Sequence, residues 1–203
     1  MTARISQTTR APFHRSLRLL ALALTVGAGL AVTGCAGKMT ADAAPPVPAV
    51  TTSGLTVGSS APAFTLASTT DADLSLEELR GDGPKFVVFY RGDWCPICRK
   101  QLRGLDARRS ELQARGADVI AISVDDLETS AGLVDRLDLS FPLLSDTELT
   151  TVRSFGVEDT PNEISKPAAF LVDTDGTILF AKVGESAKDR ADLDQVLQIL
   201  DAR

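Results

Sequence analysis

A chain of 203 residues, 44% hydrophobic and 24% charged, has the composition of a globular protein with one core of ordinary size. Its formal charge of -6 becomes -10 once the four arginines before Cys35 are left out, and so acidic a balance argues against binding a nucleic-acid backbone. The only histidine, His14, falls in a segment read below as removed, which excludes Ser–His and Cys–His catalysis and histidine-bearing metal sites.

Arg4, Arg10, Arg15 and Arg18 precede the apolar run Leu19 to Val32, which is long enough for the core of an export signal and too short to span a bilayer. The run ends in Val32-Thr33-Gly34-Cys35, which resembles the lipobox of bacterial lipoproteins. That resemblance implies cleavage before Cys35, acylation of Cys35 and anchoring to a membrane of the cell envelope. Residues 1–34 are therefore expected to be a lipoprotein signal peptide. Residues 35–54, rich in Ala, Pro and Thr, cannot build a core and are expected to be a flexible linker. The folded domain is expected over 55–203.

Within that domain Ser75 and Glu78 form a capping-box pattern, which predicts a short helix to about Arg80. Lys85 to Tyr90 is continuously apolar and β-branched or aromatic apart from its first residue, the pattern of a central strand covered on both faces. A helix carrying Cys95 and Cys98 is expected from Cys95 to about Arg115, followed by a second buried strand over Asp118 to Val124. Asp125 is the expected N-cap of a helix over Leu127 to Leu137. A short third strand is expected at Phe141 to Asp146, then a helix from about Thr147 to Phe155 that Gly156 ends. Ala168 to Val172 and Thr177 to Val183 form a hairpin about Asp175-Gly176, and Arg190 to Ala202 is an amphipathic closing helix. This order gives an α/β protein of thioredoxin-like fold, a central mixed β-sheet with helices on both faces.

Two cysteines three apart at the start of a helix are a redox device. Zinc would need four ligands that the mature chain lacks, and covalent haem would need a histidine where Arg99 stands. A fixed disulfide closing so short a loop would stabilise little. The functional reading is electrostatic: a helix N-terminus favours thiolate, and Arg91, Arg99 and Lys100 add positive charge beside it. Pro96 fits the first helical turn, and Trp94 is expected to cover the disulfide. No cofactor or metal is implied.

From about Val57 to Val183 the chain resembles the alkyl hydroperoxide reductase/thiol-specific antioxidant family, the peroxiredoxins and their relatives within the thioredoxin superfamily. The motifs that carry the resemblance are Val57-Gly58 through Phe64-Thr65-Leu66, FVVFYRGDWCPIC, FPLLSD with Phe155-Gly156-Val157 after it, and AAFLVDTDG. Aligned on Tyr90, Cys98 falls where peroxiredoxins keep the peroxidatic cysteine, Cys95 at their helper threonine and Arg91 at their proline. Pro167 matches the cis-proline that thioredoxins set against Cys-x-x-Cys, and Lys166 is a candidate for the family's missing arginine. Two mechanisms follow. In one, Cys98 attacks a peroxide and Cys95 resolves the sulfenic acid, with a thioredoxin-like electron donor restoring the dithiol. In the other, Cys95 attacks a protein disulfide and Cys98 resolves the mixed intermediate.

Overall fold

The computed structural model describes residues 55–70 and 72–203. The expected signal peptide, the lipidation at Cys35 and the linker over 35–54 lie outside the described residues.

In chain order the elements are β1 (Thr65–Ser68), β2 (Leu74–Ser75), α1 (Leu76–Gly81), β3 (Lys85–Phe89), α2 (Pro96–Ala107), α3 (Arg109–Gln113), β4 (Asp118–Ser123), α4 (Leu127–Leu137), β5 (Leu143–Ser145), α5 (Thr150–Ser154), β6 (Glu158–Asp159), β7 (Ile164–Ser165), β8 (Ala168–Val172), β9 (Ile178–Val183) and α6 (Leu193–Asp201). A seven-stranded sheet runs β2-β1-β5-β4-β3-β8-β9. Strand β4 pairs in parallel with both β3 and β5, whereas β1, β8 and β9 join antiparallel, so the sheet is mixed as the element order predicts.

Every residue of β3 is buried, because its two faces are both covered. Phe86 and Val88 face leucines of α2, α3 and α4 and the apolar stripe of α6. Val87 and Phe89 face the opposite way, toward Leu76, Val152 and Phe155. The period-2 alternation of a strand thus divides one apolar run between two cores. In the second core Phe155 sits 5.0 Å from Phe89 and 5.2 Å from Phe170, ring centroid to ring centroid.

Local signals place most boundaries. The Ser75–Glu78 capping box is formed in both directions. Gly176, at φ 91°, closes the β8–β9 hairpin. Four expectations need correction. The helix after the cysteines divides at Arg108, whose non-helical backbone separates α2 from α3. The cap of α4 is Asp126, which accepts the Thr129 amide, while Asp125 turns inward. Helix α5 begins at Thr150 because the buried Asp146 carboxylate takes the Thr150 hydroxyl and the Val152 amide, holding a turn ahead of it. Finally, α6 starts only at Leu193, capped by Asp192, so Arg190 lies outside the helix.

Phe155→Ala removes the shared partner of Phe64, Phe89 and Phe170. Denaturant unfolding is expected to show a loss of about 3–5 kcal/mol. A loss below about 1 kcal/mol would mean that the core closes over the vacated space.

Candidate functional site

The strand register brings the site together. Phe89 pairs with Ala168, so Tyr90 at the end of β3 lies beside Pro167 at the start of β8. Ala168 in turn pairs with Val183, and the next residue, Gly184, donates its amide to the Pro167 carbonyl at 2.7 Å. Three chain segments therefore meet at the carboxyl end of β3: the 91–95 loop, Lys166-Pro167 and the 184–190 loop.

Cys95 is the N-cap of α2. Its sulfur accepts the Cys98 amide at 3.3 Å, and Pro96 occupies the first turn, where its missing N–H costs nothing. Cys95 is 3% exposed and Cys98 is fully buried, and both are free thiols. Burial alone would raise the Cys95 thiol. Hydrogen bonds from the Cys98 thiol and amide, then the charge of Arg190, outweigh it and set Cys95 below the ordinary cysteine value. Cys98 moves the other way: burial and its donation to Cys95 raise it, against the Arg91 amide and Arg190. The two thiols titrate as a pair, with Cys95 giving up its proton more readily than Cys98.

The cation that reaches the sulfurs is Arg190, not Lys166. Its Nη2 lies 3.3 Å from Cys98 Sγ, while Nη1 donates to Gln101 Oε1 at 2.8 Å and Nε to the Ala187 carbonyl at 3.0 Å. Three directed donors use the guanidinium fork, a geometry that lysine cannot copy. Arg190 arrives there because the 184–190 loop is folded tightly on itself. Asp189 binds Lys182 at 2.8 Å and accepts the Glu185 amide, contacts that hold its carboxyl below the usual carboxylate range. A Cβ on Gly184 would stand 2.2 Å from the Asp189 carbonyl oxygen, so only glycine lets the two strands of this loop pass. The pointer to Arg190 available in the sequence is Asp192, an N-cap candidate that leaves Arg190 in a connecting segment where Asp189 would place it in the helix.

The other expected site residues are placed as follows. Trp94 is 56% exposed, so it does not cover a disulfide. Its ring lies against Gly92, where a Cβ would stand 2.7 Å from the indole nitrogen, and under the Arg91 guanidinium at 4.8 Å. Gly92 has φ 147°, which a side chain would strain. Arg91, Lys166 and the buried Pro167 line a cavity of about 400 Å³ with Gly184 and Ala187. Beneath the loop Asp125 accepts the Asp93 amide at 2.8 Å and the Ser123 hydroxyl at 3.0 Å, and burial raises its carboxyl. It fixes the backbone that carries Trp94.

The AhpC/TSA family profile matches residues 57–181. A putative peroxiredoxin of Mycobacterium tuberculosis is 33% identical over 153 residues, covering 70% of this chain and 97% of the relative. The thiol-disulfide oxidoreductase ResA of Bacillus thuringiensis is 27% identical over 135 residues, covering 66% and 73%. Among solved structures, peroxidoxin BcpB from Mycobacterium tuberculosis superposes with a TM-score of 0.67 at 28% identity, covering 73% of this chain and 97% of that one.

Because Arg190 favours the thiolate at both sulfurs, Arg190→Gln is expected to move thiolate formation to higher pH, read by ultraviolet thiolate absorbance. Gly184→Ala is expected to do the same with Arg190 still present, since it displaces Asp189. An unchanged titration in Arg190→Gln would remove Arg190 from the site.

Proposed function

The chain belongs to the AhpC/TSA family and is a thiol-dependent oxidoreductase, and from that premise we propose that it reduces hydrogen peroxide or organic hydroperoxides through a Cys95/Cys98 dithiol–disulfide cycle. The observation that carries this reading is the guanidinium of Arg190 on the sulfur of Cys98. A positive fork beside a sulfur is where a peroxide oxygen that gains negative charge is stabilised.

The paired thiols supply the rest. When the pair holds one proton and that proton sits on Cys95, the thiolate is on Cys98, beside Arg190. That thiolate attacks one peroxide oxygen, the O–O bond breaks, and Cys98 becomes a sulfenic acid. The departing alkoxide or hydroxide takes the proton from Cys95 and leaves as alcohol or water. Cys95, now a thiolate again, attacks the Cys98 sulfur; the disulfide forms and hydroxide leaves, protonated by solvent to water. Two electrons pass from the dithiol to the peroxide. A thiol held at the N-cap thus serves first as proton donor and then as the resolving nucleophile, a sequence that a threonine there could not complete. A thioredoxin-like dithiol partner then returns two electrons to the Cys95–Cys98 disulfide.

Disulfide exchange on exported proteins is the second reading, supported by the depressed Cys95 thiol and by the likeness to a thiol-disulfide oxidoreductase. In it Cys95 attacks first. The basic apolar leader over 1–34 and the lipobox-like Cys35 support a cell-envelope protein held to the membrane by lipid and a linker over 35–54, in which either substrate would be met outside the cytoplasm. Among the described residues no helix is long and apolar enough to cross a membrane.

The two readings part at single-cysteine variants. With peroxide, Cys95→Ser is expected to accumulate a sulfenic acid at Cys98 that dimedone captures, seen by mass spectrometry. No adduct on Cys98 in Cys95→Ser, together with a rapid adduct on Cys95 in Cys98→Ser, would make Cys95 the attacking sulfur and reverse the proposed order of attack.

A further inference from the structure

Three further cations stand on α2 beside the cysteines. Arg99 and Lys100 stand in the N-terminal half of α2, with Arg103 one turn on, while the guanidinium in contact with Cys98 is that of Arg190. Arg99 and Lys100, at and just past the first turn of α2, gain nothing from the helix dipole. No acidic residue stands in the first turn of α2 to offset them. Among the described residues none of the three has an ion-pair partner, although most other arginines of the domain do. They line one recess of about 450 Å³ with Pro96, Arg136 and Leu137, and no acidic side chain lines it. Pro96, at its edge, follows the capping Cys95 directly, and the exposed Trp94 precedes it. The result is an exposed apolar spot at the sulfurs with a basic flank, on a chain whose balance is otherwise acidic.

We propose that this face of α2, Arg99, Lys100 and Arg103 beside Trp94 and Pro96, docks an acidic surface of the protein dithiol that reduces the Cys95–Cys98 disulfide. The inference rests on the dithiol–disulfide cycle proposed above, and it holds for either order of cysteine attack. The donor's thiolate attacks one sulfur of the disulfide to give a mixed disulfide and a free Cys thiolate. The donor's second thiol then displaces the other sulfur, so the donor leaves as a disulfide and this chain as a dithiol, two electrons and two protons having passed. Complementary charge around that encounter raises the association rate and favours the right partner.

The test uses the full chain, oxidised with diamide, and two synthetic Cys-x-x-Cys dithiol peptides without tryptophan, one flanked by Asp and Glu and one by Lys. Trp94, the only tryptophan, reports the reduction. Each rate is divided by the rate with uncharged dithiothreitol for the same variant, which removes any effect of the substitutions on the sulfurs themselves. The acidic peptide is expected to react about tenfold faster than the basic one at low salt, with the advantage lost at high salt. R99Q/K100Q/R103Q is expected to abolish the preference and R99E/K100E/R103E to reverse it. Glutamate suits a helix N-terminus, so the reversal variant is not expected to unfold. Equal rates for the two peptides, or an acidic preference that survives in both variants, would overturn the proposal. So would the absence of any preference together with binding to phosphatidylcholine–phosphatidylglycerol vesicles that R99E/K100E/R103E loses, since the face would then belong to the membrane. Failure of diamide to form the Cys95–Cys98 disulfide, visible before any peptide is added, would instead defeat the cycle on which the inference stands.

Discussion

A sulfur caps the helix on which this site is built. The Cys98 amide donates to Cys95 Sγ, and the Cys98 thiol donates to the same atom, so two donors of one residue converge on the capping sulfur. Capping by an anion is favourable at a helix N-terminus, where free amides and the helix dipole both attract it. The capping bond and the acidity of Cys95 are therefore one effect. The rest of the site positions other groups around this bond. Asp125 and Gly92 fix the loop before it, Pro167 and Gly184 close its flank, and Arg190 adds the cation on the far sulfur.

This arrangement divides labour between two chemically identical side chains. Position in the helix makes Cys95 the more acidic thiol, and in the proposed cycle the Arg190 contact makes Cys98 the sulfur that meets peroxide. In that cycle one proton shared between them lets each be nucleophile at its own step, which a single acidic thiol would not allow. Arg99 and Lys100, close to the sulfurs in sequence, line a recess with Arg103 beside the helix.

What could be read without coordinates follows from how local each signal is. The all-apolar β3, the Ser75–Glu78 box, the Asp175-Gly176 turn and the cysteine pair each announce themselves within a few residues, and they carry the thioredoxin-like architecture. Arg190 does not, because it meets Cys98 across 92 positions of chain through a loop whose shape depends on Gly184 and Asp189. Assigning it to the closing helix hides it, since nothing in a helical pattern signals a partner 92 positions away. The adjacent pair Asp125 and Asp126 shows a different difficulty: both are good caps, and only the burial of one against the Asp93 amide decides which is used. The placement of Trp94 likewise depends on the 147° φ of Gly92, which opens the backbone face on which the indole lies.

In the proposed cycle Cys98 is the sulfur that meets peroxide, under Arg190. Stopped-flow mixing of the reduced chain with hydrogen peroxide, followed through Trp94 fluorescence, tests it most directly. The predicted result is oxidation far faster than that of free cysteine at the same pH, slowed when Arg190 is replaced by glutamine. A rate no faster than free cysteine would contradict it and leave disulfide exchange as the chemistry of this site.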